Sequence, residues 1–349
     1  MQITELVLSV VIPAFARVEP LKFTLRSVAT AARGVGRPVE IVLVDDGSTP
    51  PLEQVLAGFN PGWPVRFVRQ ENQGSIVARL TGLAAARGTF VNFVDSDDLV
   101  HPDKFRCQVE AMESSGVEMS YTDSADVSLG DDYTVRGFRP LRTYVDTASS
   151  VELFVTVFPC PHSPMFRRDY LDKALRRPVV PLNRLFDPCG DVWLYRNLAL
   201  HPAAVRHVLG HFAGIGRHGG ERFTNCWERL GVAALGIDEA VMAACGPGPE
   251  TSDLRRRIGD AAFHAFRLLP PDVPAEFEER LLGLWRESPA ASGGIRGGRV
   301  FRRLAEWIGP VRLARWLRWW RRPRYASCKT LADKRAFERL LEELPPVAA

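Results

Sequence analysis

The first hundred residues of this chain alternate between two periods, and this constrains the fold more than any other feature. Short β-branched apolar runs are separated by stretches whose apolar residues recur at helical spacing. "LVLSVVIPAF" is the first run, stopped by Pro13, and "VEIVLVDDGS" is the second. "VRFVRQ" and "TFVNFVD" are the third and fourth. Between them, "VEPLKFTLRSVATAAR" places Leu21, Leu25, Val28, Ala29 and Ala32 on one helical face, "PLEQVLAGF" reads as a short helix, and "SIVARLTGLAAARG" reads as a helix closed by Gly88. Pro102 suits an early position in the helix that follows. Such an order predicts an α/β fold, with a mostly parallel central sheet flanked by helices.

Ligands of such sheets bind beyond the carboxyl ends of the strands. The polar residues gather there: Pro13 to Phe15, then Asp45-Asp46-Gly47-Ser48, then Asp95-Ser96-Asp97-Asp98. Carboxylates crowded at a strand end repel one another unless a cation joins them. Hard oxygen ligands with an open side suit Mg²⁺ or Mn²⁺, shared with a substrate phosphate. The "VDDGS" segment has two readings, a tight turn after a strand or a carboxylate facing a nucleotide.

Composition excludes several classes. No apolar run reaches the roughly 20 residues that span a bilayer. The N-terminal segment carries Glu5 and lacks a basic region, so it reads as folded protein rather than a signal peptide. Six scattered cysteines contain no CxxC pair, which argues against a zinc or redox motif and suits reduced thiols of a cytosolic protein. No G-x-G-x-x-G follows the first strand, against a dehydrogenase, and "PAFARVEP" is no phosphate loop, against a nucleotidyltransferase.

Six ordered segments, "SVVIPAF", "LRSV", "EIVLVDDGST", "VRQENQGSIVAR", "FVDSDDLVHPDKF" and "GDVWLYRNLA", together resemble the inverting glycosyltransferases of family 2, over about Leu8 to His218. The resemblance implies a GT-A (nucleotide-diphospho-sugar transferase) fold. It implies a catalytic domain over 1–220, with a nucleotide-sugar half over about 1–105 and an acceptor half over about 106–220. A helical extension over 221–290 and a Gly-rich linker with a basic tail over 291–349 complete the chain. Implied donor-nucleotide contacts are Pro13, Ala14, Phe15, Asp45, Asp46, Arg79 and Ser96. Implied metal ligands are Asp95, Asp97 and His218, with Mn²⁺ or Mg²⁺ as cofactor, and Asp98 is left as the cap of the next turn. Asp191 is the implied catalytic base that deprotonates the acceptor hydroxyl; helix N-capping is its plainer role. His162 falls where the family lines its acceptor side.

The implied activity is metal-dependent, inverting sugar transfer of hexosyltransferase type. The donor is a UDP-linked or similar nucleotide-sugar, and the acceptor is a carbohydrate, lipid-linked or small-molecule hydroxyl. Polysaccharide, glycolipid or cell-envelope glycan synthesis is the implied setting. The alternatives are a catalytically inactive sugar-nucleotide-binding scaffold and a nucleotidyltransferase. Three departures stand out: Ala16 replaces a polar residue, often Asn; Leu80 replaces an Asn after the arginine; and the first helix lacks its terminal Gln.

The tail has its own logic. Residues 296–329 carry 11 basic and one acidic side chain, whereas residues 1–295 are net −5. "RVFRRLAEWIGPVRLARWLRWWRRPR", Arg299 to Arg324, holds four tryptophans and nine arginines. Helical spacing predicts an apolar face of Leu313, Trp316, Leu317 and Trp320, with Arg315, Arg318 and Arg322 turned away. That pattern suits peripheral contact with the inner face of a cell membrane, or a helical pair packed on its own domain. Nucleic acid is not an expected partner.

Overall fold

The structure is a computed structural model that describes residues 5–130, 133–216, 225–291 and 297–346. The chain divides into two compact units. Met1–Pro178 and Leu200–Gly220 form the first; Val179–Ala199 and Glu221–Ala349 form the second. The segment that carries Asp191 therefore groups with the C-terminal helices.

The first unit is built on a nine-stranded sheet. In chain order it contains β1 (Leu8–Ala14), α1 (Val18–Gly34), β2 (Val39–Asp46), α2 (Leu52–Val55), β3 (Val65–Gln70), α3 (Ser75–Ala85), β4 (Phe90–Phe93), β5 (Leu99–Val100) and α4 (Lys104–Ser115). Then follow β6 (Met119–Leu129), β7 (Val135–Arg142), α5 (Ser150–Glu152), β8 (Met165–Arg167), α6 (Arg168–Leu175) and, after the excursion of residues 179–199 into the second unit, β9 (Val205–Ile215). The strand order is β3-β2-β1-β4-β8-β6-β9-β5, with β7 added on β6. The β3-β2-β1-β4 half is wholly parallel. Antiparallel β8 then interrupts it between β4 and β6, and β9 resumes the common direction beside β6.

Every residue of β1, β2 and β4 is buried, because helices cover both faces. That is why these strands read as continuous apolar runs rather than alternating ones. Leu21, Leu25 and Val28 of α1 pack into the same core as Val10, Ile12, Ile41 and Leu43. Helix α3 lies close to the sheet: a Cβ on Gly82 would stand 2.2 Å from Val11 Cγ1. The helix ends at Ala85, and the next residue is already extended. Gly88 is thus not its cap. It is needed where the chain crosses β1, since a Cβ there would sit 2.6 Å from the Leu8 carbonyl carbon. Pro102 lies just before α4, whose N-cap is Asp103.

The second unit is helical. It contains α7 (Gly190–Ala199), α8 (Trp227–Ala244), α9 (Ser252–Leu268), α10 (Ala275–Arg286), α11 (Arg299–Ile308), α12 (Pro310–Arg321), α13 (Tyr325–Cys328) and α14 (Lys334–Glu342). Arginines do much of its cross-linking. Arg196 Nε donates to Asp238 Oδ1 at 2.6 Å, tying α7 to α8. Arg255 donates to the carbonyls of Met242 and Cys245, capping the end of α8. No disulfide links the six cysteines.

Candidate active site

Parallel register puts the carboxyl ends of β1, β2 and β4 on one edge. Ala14 pairs with Asp45, and the Val94 N–H extends the ladder from β4 by donating to the Val11 carbonyl at 2.9 Å. The residues that follow these ends share this edge of the first unit.

Both acids of β2 are bonded to the protein's own loops. Asp45 Oδ1 accepts from the Ser48 N–H at 2.9 Å, and its Oδ2 accepts from the Leu52 N–H at 3.0 Å and from Arg69 at 2.5 Å. Burial alone would raise this carboxyl, but the bonds from Ser48, Leu52 and Arg69 outweigh it and hold the group below its ordinary value. Asp46 Oδ1 accepts from Gln70 and the Gln73 N–H, and Oδ2 from the Gly74 N–H at 2.9 Å. Asp46 therefore clamps the loop that leads from β3 into α3. Gly47 completes the turn at φ 82°, where a Cβ would stand 2.7 Å from the Asn72 nitrogen. Asp45 thus holds the turn after β2 through Ser48 and Leu52, while Asp46 is engaged by the β3–α3 loop.

Two of the three acids after β4 are more exposed than those of β2, and each of these two faces an arginine. Arg79, on α3, reaches Asp95 Oδ1 at 2.5 Å, and Arg17 reaches Asp97 Oδ2 at 2.9 Å. In the sequence Arg17 reads as an ordinary loop residue before α1. The signal was its place two residues beyond Phe15, at the same strand end. Between them Ala16 adopts φ 56°, in the left-handed region, and its N–H donates to Ser48 Oγ at 3.0 Å. Phe15 is 50% exposed, while Pro13, Ala14 and Ser96 are buried.

Asp98 does not act as the cap expected of it. Its Oδ1 accepts from the Gly216 N–H at 3.1 Å, and its Oδ2 lies 2.9 Å from Nδ1 of fully buried His162. His162 in turn lies 3.9 Å from the Cys160 sulfur. Burial alone would push the His162 ring down; Cys160 and Asp98 reverse this and hold it well above its ordinary value. His162 is thus a buried anchor for the acidic loop and does not line an acceptor surface.

Asp191 lies in the first turn of α7 rather than at its cap, half-buried, with Oδ1 accepting from the Val192 N–H at 2.8 Å. A carboxylate is favoured at a helix N-terminus. His218 lies outside the described residues. Among the described residues no group of three or more His, Cys, Asp or Glu side chains gathers as a metal cage. Asp95 and Asp97 supply hard oxygen donors of the kind that hold Mg²⁺ or Mn²⁺ together with phosphate oxygens. The donor chemistry fits a divalent cation, provided that Arg17 releases Asp97.

Residues 9–175 match the model for glycosyl transferase family 2. Among curated proteins, the chain is 34% identical over 115 residues to the succinoglycan biosynthesis protein ExoO of Rhizobium meliloti, covering 33% of this chain and 32% of that protein. It is 32% identical over 94 residues to the minor teichoic acid biosynthesis protein GgaA of Bacillus subtilis, covering 26% of this chain and 21% of that protein. The chain thus spans about a third or less of the length of these relatives. Among solved structures, S. aureus TarS 1-349 in complex with UDP-GlcNAc aligns with a TM-score of 0.52 at 15% identity, over 82% of this chain and 92% of that one. The mannosyltransferase PcManGT of Pyrobaculum calidifontis, in complex with GDP-Man and Mn²⁺, aligns with a TM-score of 0.52 at 14% identity, over 91% of this chain and 88% of that one. A segment just under half the length of the chain thus matches glycosyl transferase family 2, and the chain shares the fold of these solved structures.

Proposed function

We propose that this chain is a metal-dependent inverting glycosyltransferase that moves a sugar from a nucleoside diphosphate, UDP for preference, to an acceptor hydroxyl. The observation that carries this reading is the strand-end edge itself. An exposed aromatic, Phe15, and two carboxylates held by arginines, Asp95 and Asp97, stand together there, as a base, a diphosphate and a cation require. Phe15 offers a face for the nucleobase. Arg17 and Arg79 are cations within reach of the same acids, so an arriving diphosphate can take their hydrogen bonds while freeing the carboxylates. A divalent cation held by Asp97, with Asp95 beside it, would neutralise charge on the departing diphosphate.

Asp191 is the proposed base. It takes the proton of the acceptor hydroxyl as that oxygen attacks the anomeric carbon. The bond to the diphosphate oxygen breaks on the opposite face, so one displacement inverts the centre. The relatives named for succinoglycan and minor teichoic acid biosynthesis support a cell-envelope or extracellular polysaccharide setting. TarS in complex with UDP-GlcNAc and PcManGT in complex with GDP-Man and Mn²⁺ support the donor class and the cofactor.

The test is thermal stability against a panel of nucleoside diphosphates and their sugars, with and without Mn²⁺. A metal-dependent rise with one nucleotide, absent in Asp97→Ala, identifies the donor. A rise that needs no metal and survives Asp97→Ala would instead favour the sugar-nucleotide-binding scaffold, with Arg17 and Arg79 as permanent partners of the acids.

A further inference from the structure

The second unit exposes an apolar surface that its own described residues leave uncovered. On α11, Val300, Leu304, Trp307 and Ile308 recur at i, i+4, i+7 and i+8, one face of a helix, and all are exposed. Trp307 is 90% exposed. The neighbouring face, Phe301 and Ala305, is the buried one. On α12, Leu313, Ala314 and Arg318 are buried, while Trp316, Trp319 and Trp320 stand in solvent. The face expected from sequence is thus split: Leu313 packs inward and the tryptophans point out.

Charge selects the occupant. Arg299, Arg302, Arg303, Arg312, Arg321, Arg322 and Arg324 are all exposed around this surface, against a single acid, Glu306. Arg315 and Arg318 are withdrawn from it by Glu278 and Glu279. Tryptophan with arginine at the rim of an apolar face is the composition of a bilayer-interface helix. A cavity of about 580 Å³ adjoins the end of α12, with Arg322 and Pro323 in its lining. Its wall includes Ala262, Ala265, Leu269 and Phe277. A protein partner would use the flat tryptophan face but has no need of an apolar cavity with an arginine beside it; a lipid uses both.

We propose that α11 and α12 dock the chain on an anionic lipid bilayer, with the tryptophans in the interfacial layer, the arginines on headgroup phosphates and a lipid chain entering the cavity. The docking itself does not rest on the sugar-transfer reading. The experiment is co-sedimentation of the full chain with phosphatidylcholine vesicles, with and without phosphatidylglycerol. Binding is expected only with the anionic lipid. Arg302→Glu, Arg303→Glu, Arg312→Glu and Arg321→Glu should weaken it roughly fivefold or more per charge. Replacing Trp307, Trp316, Trp319 and Trp320 together by Ser should abolish it with the melting temperature and nucleotide-induced stabilisation unchanged. Ala265→Trp, which fills the cavity, should weaken it without changing the charge; full binding in that variant removes the cavity from the site. Equal binding to both vesicles, or none to either, overturns the docking. So does a self-association in lipid-free buffer that the serine variant abolishes, which would make the face an interface between copies.

Discussion

Arginine–carboxylate pairs occur in both units, and they are of opposite kinds. At the strand-end edge, Arg17 and Asp97 keep 35% and 18% of their side chains exposed, each pairing with a residue 80 positions away. In the helical unit, Arg318 is 1% exposed and donates to Glu278 at 2.7 Å and to the carbonyls of Leu269 and Pro270. A half-solvated pair is worth little and can be exchanged for a ligand. A buried one, with its remaining protons satisfied by carbonyls, is fixed by the desolvation that breaking it would strand. The same chemistry is thus exchangeable in one place and architectural in the other.

The comparison can be broken or sharpened by four substitutions. The largest effect belongs to chemistry: Asp191→Asn should lower kcat by about 10²–10⁴ while leaving donor affinity intact, measured by steady-state transfer and by nucleotide titration. Full activity removes Asp191 from the role of base. Arg318→Ala should destabilise the second unit by about 3 kcal/mol, at the low end for a broken buried pair because Arg315 still faces Glu278. Chemical denaturation measures it, and a loss under 1 kcal/mol would erase the distinction drawn above.

His162→Gln tests the anchor of the acidic loop. Because the ring's pKa is raised in the fold, its pairing contributes stability fully below its ordinary value of 6.5, and this is lost as pH rises through the raised value. The wild-type chain should therefore lose an alkaline increment of melting temperature that His162→Gln lacks. Identical pH profiles would mean that the Asp98 pair is not ionic. Smallest of all, Arg17→Ala should change stability by about 0–1 kcal/mol, yet shift the donor's apparent affinity if Arg17 transfers from Asp97 to the diphosphate. A stability loss as large as that of Arg318→Ala would place Arg17 among the architectural arginines.

Much of the first unit is legible in sequence because its parallel strands are buried on both faces. β1, β2 and β4 read as apolar runs, and the acids at the ends of β2 and β4 mark the edge. The antiparallel insertion of β8 beside β4 is not legible, because three residues from Met165 to Arg167 carry no period. Arg17 is hidden for a related reason: nothing local ties it to an acid 80 residues on. Arg318 misleads for another. Helical spacing assigns it to the solvent face, but a guanidinium carries five donors, and two carbonyls with a distant glutamate can satisfy them inside. The same spacing cannot tell a tryptophan that packs from one that waits for a partner.

Ala16 carries a consequence for motion. The left-handed backbone at φ 56° is unfavourable for an alanine by roughly 1–2 kcal/mol, and asparagine, which the family resemblance leads one to expect at this position, tolerates it better. The corner between β1 and α1 is therefore preloaded. On one side of it stands the exposed ring of Phe15, and on the other the guanidinium that holds Asp97. A rotation that relaxed this single residue would move both at once, so the position of the Phe15 ring is tied through one backbone angle to that of the guanidinium on Asp97.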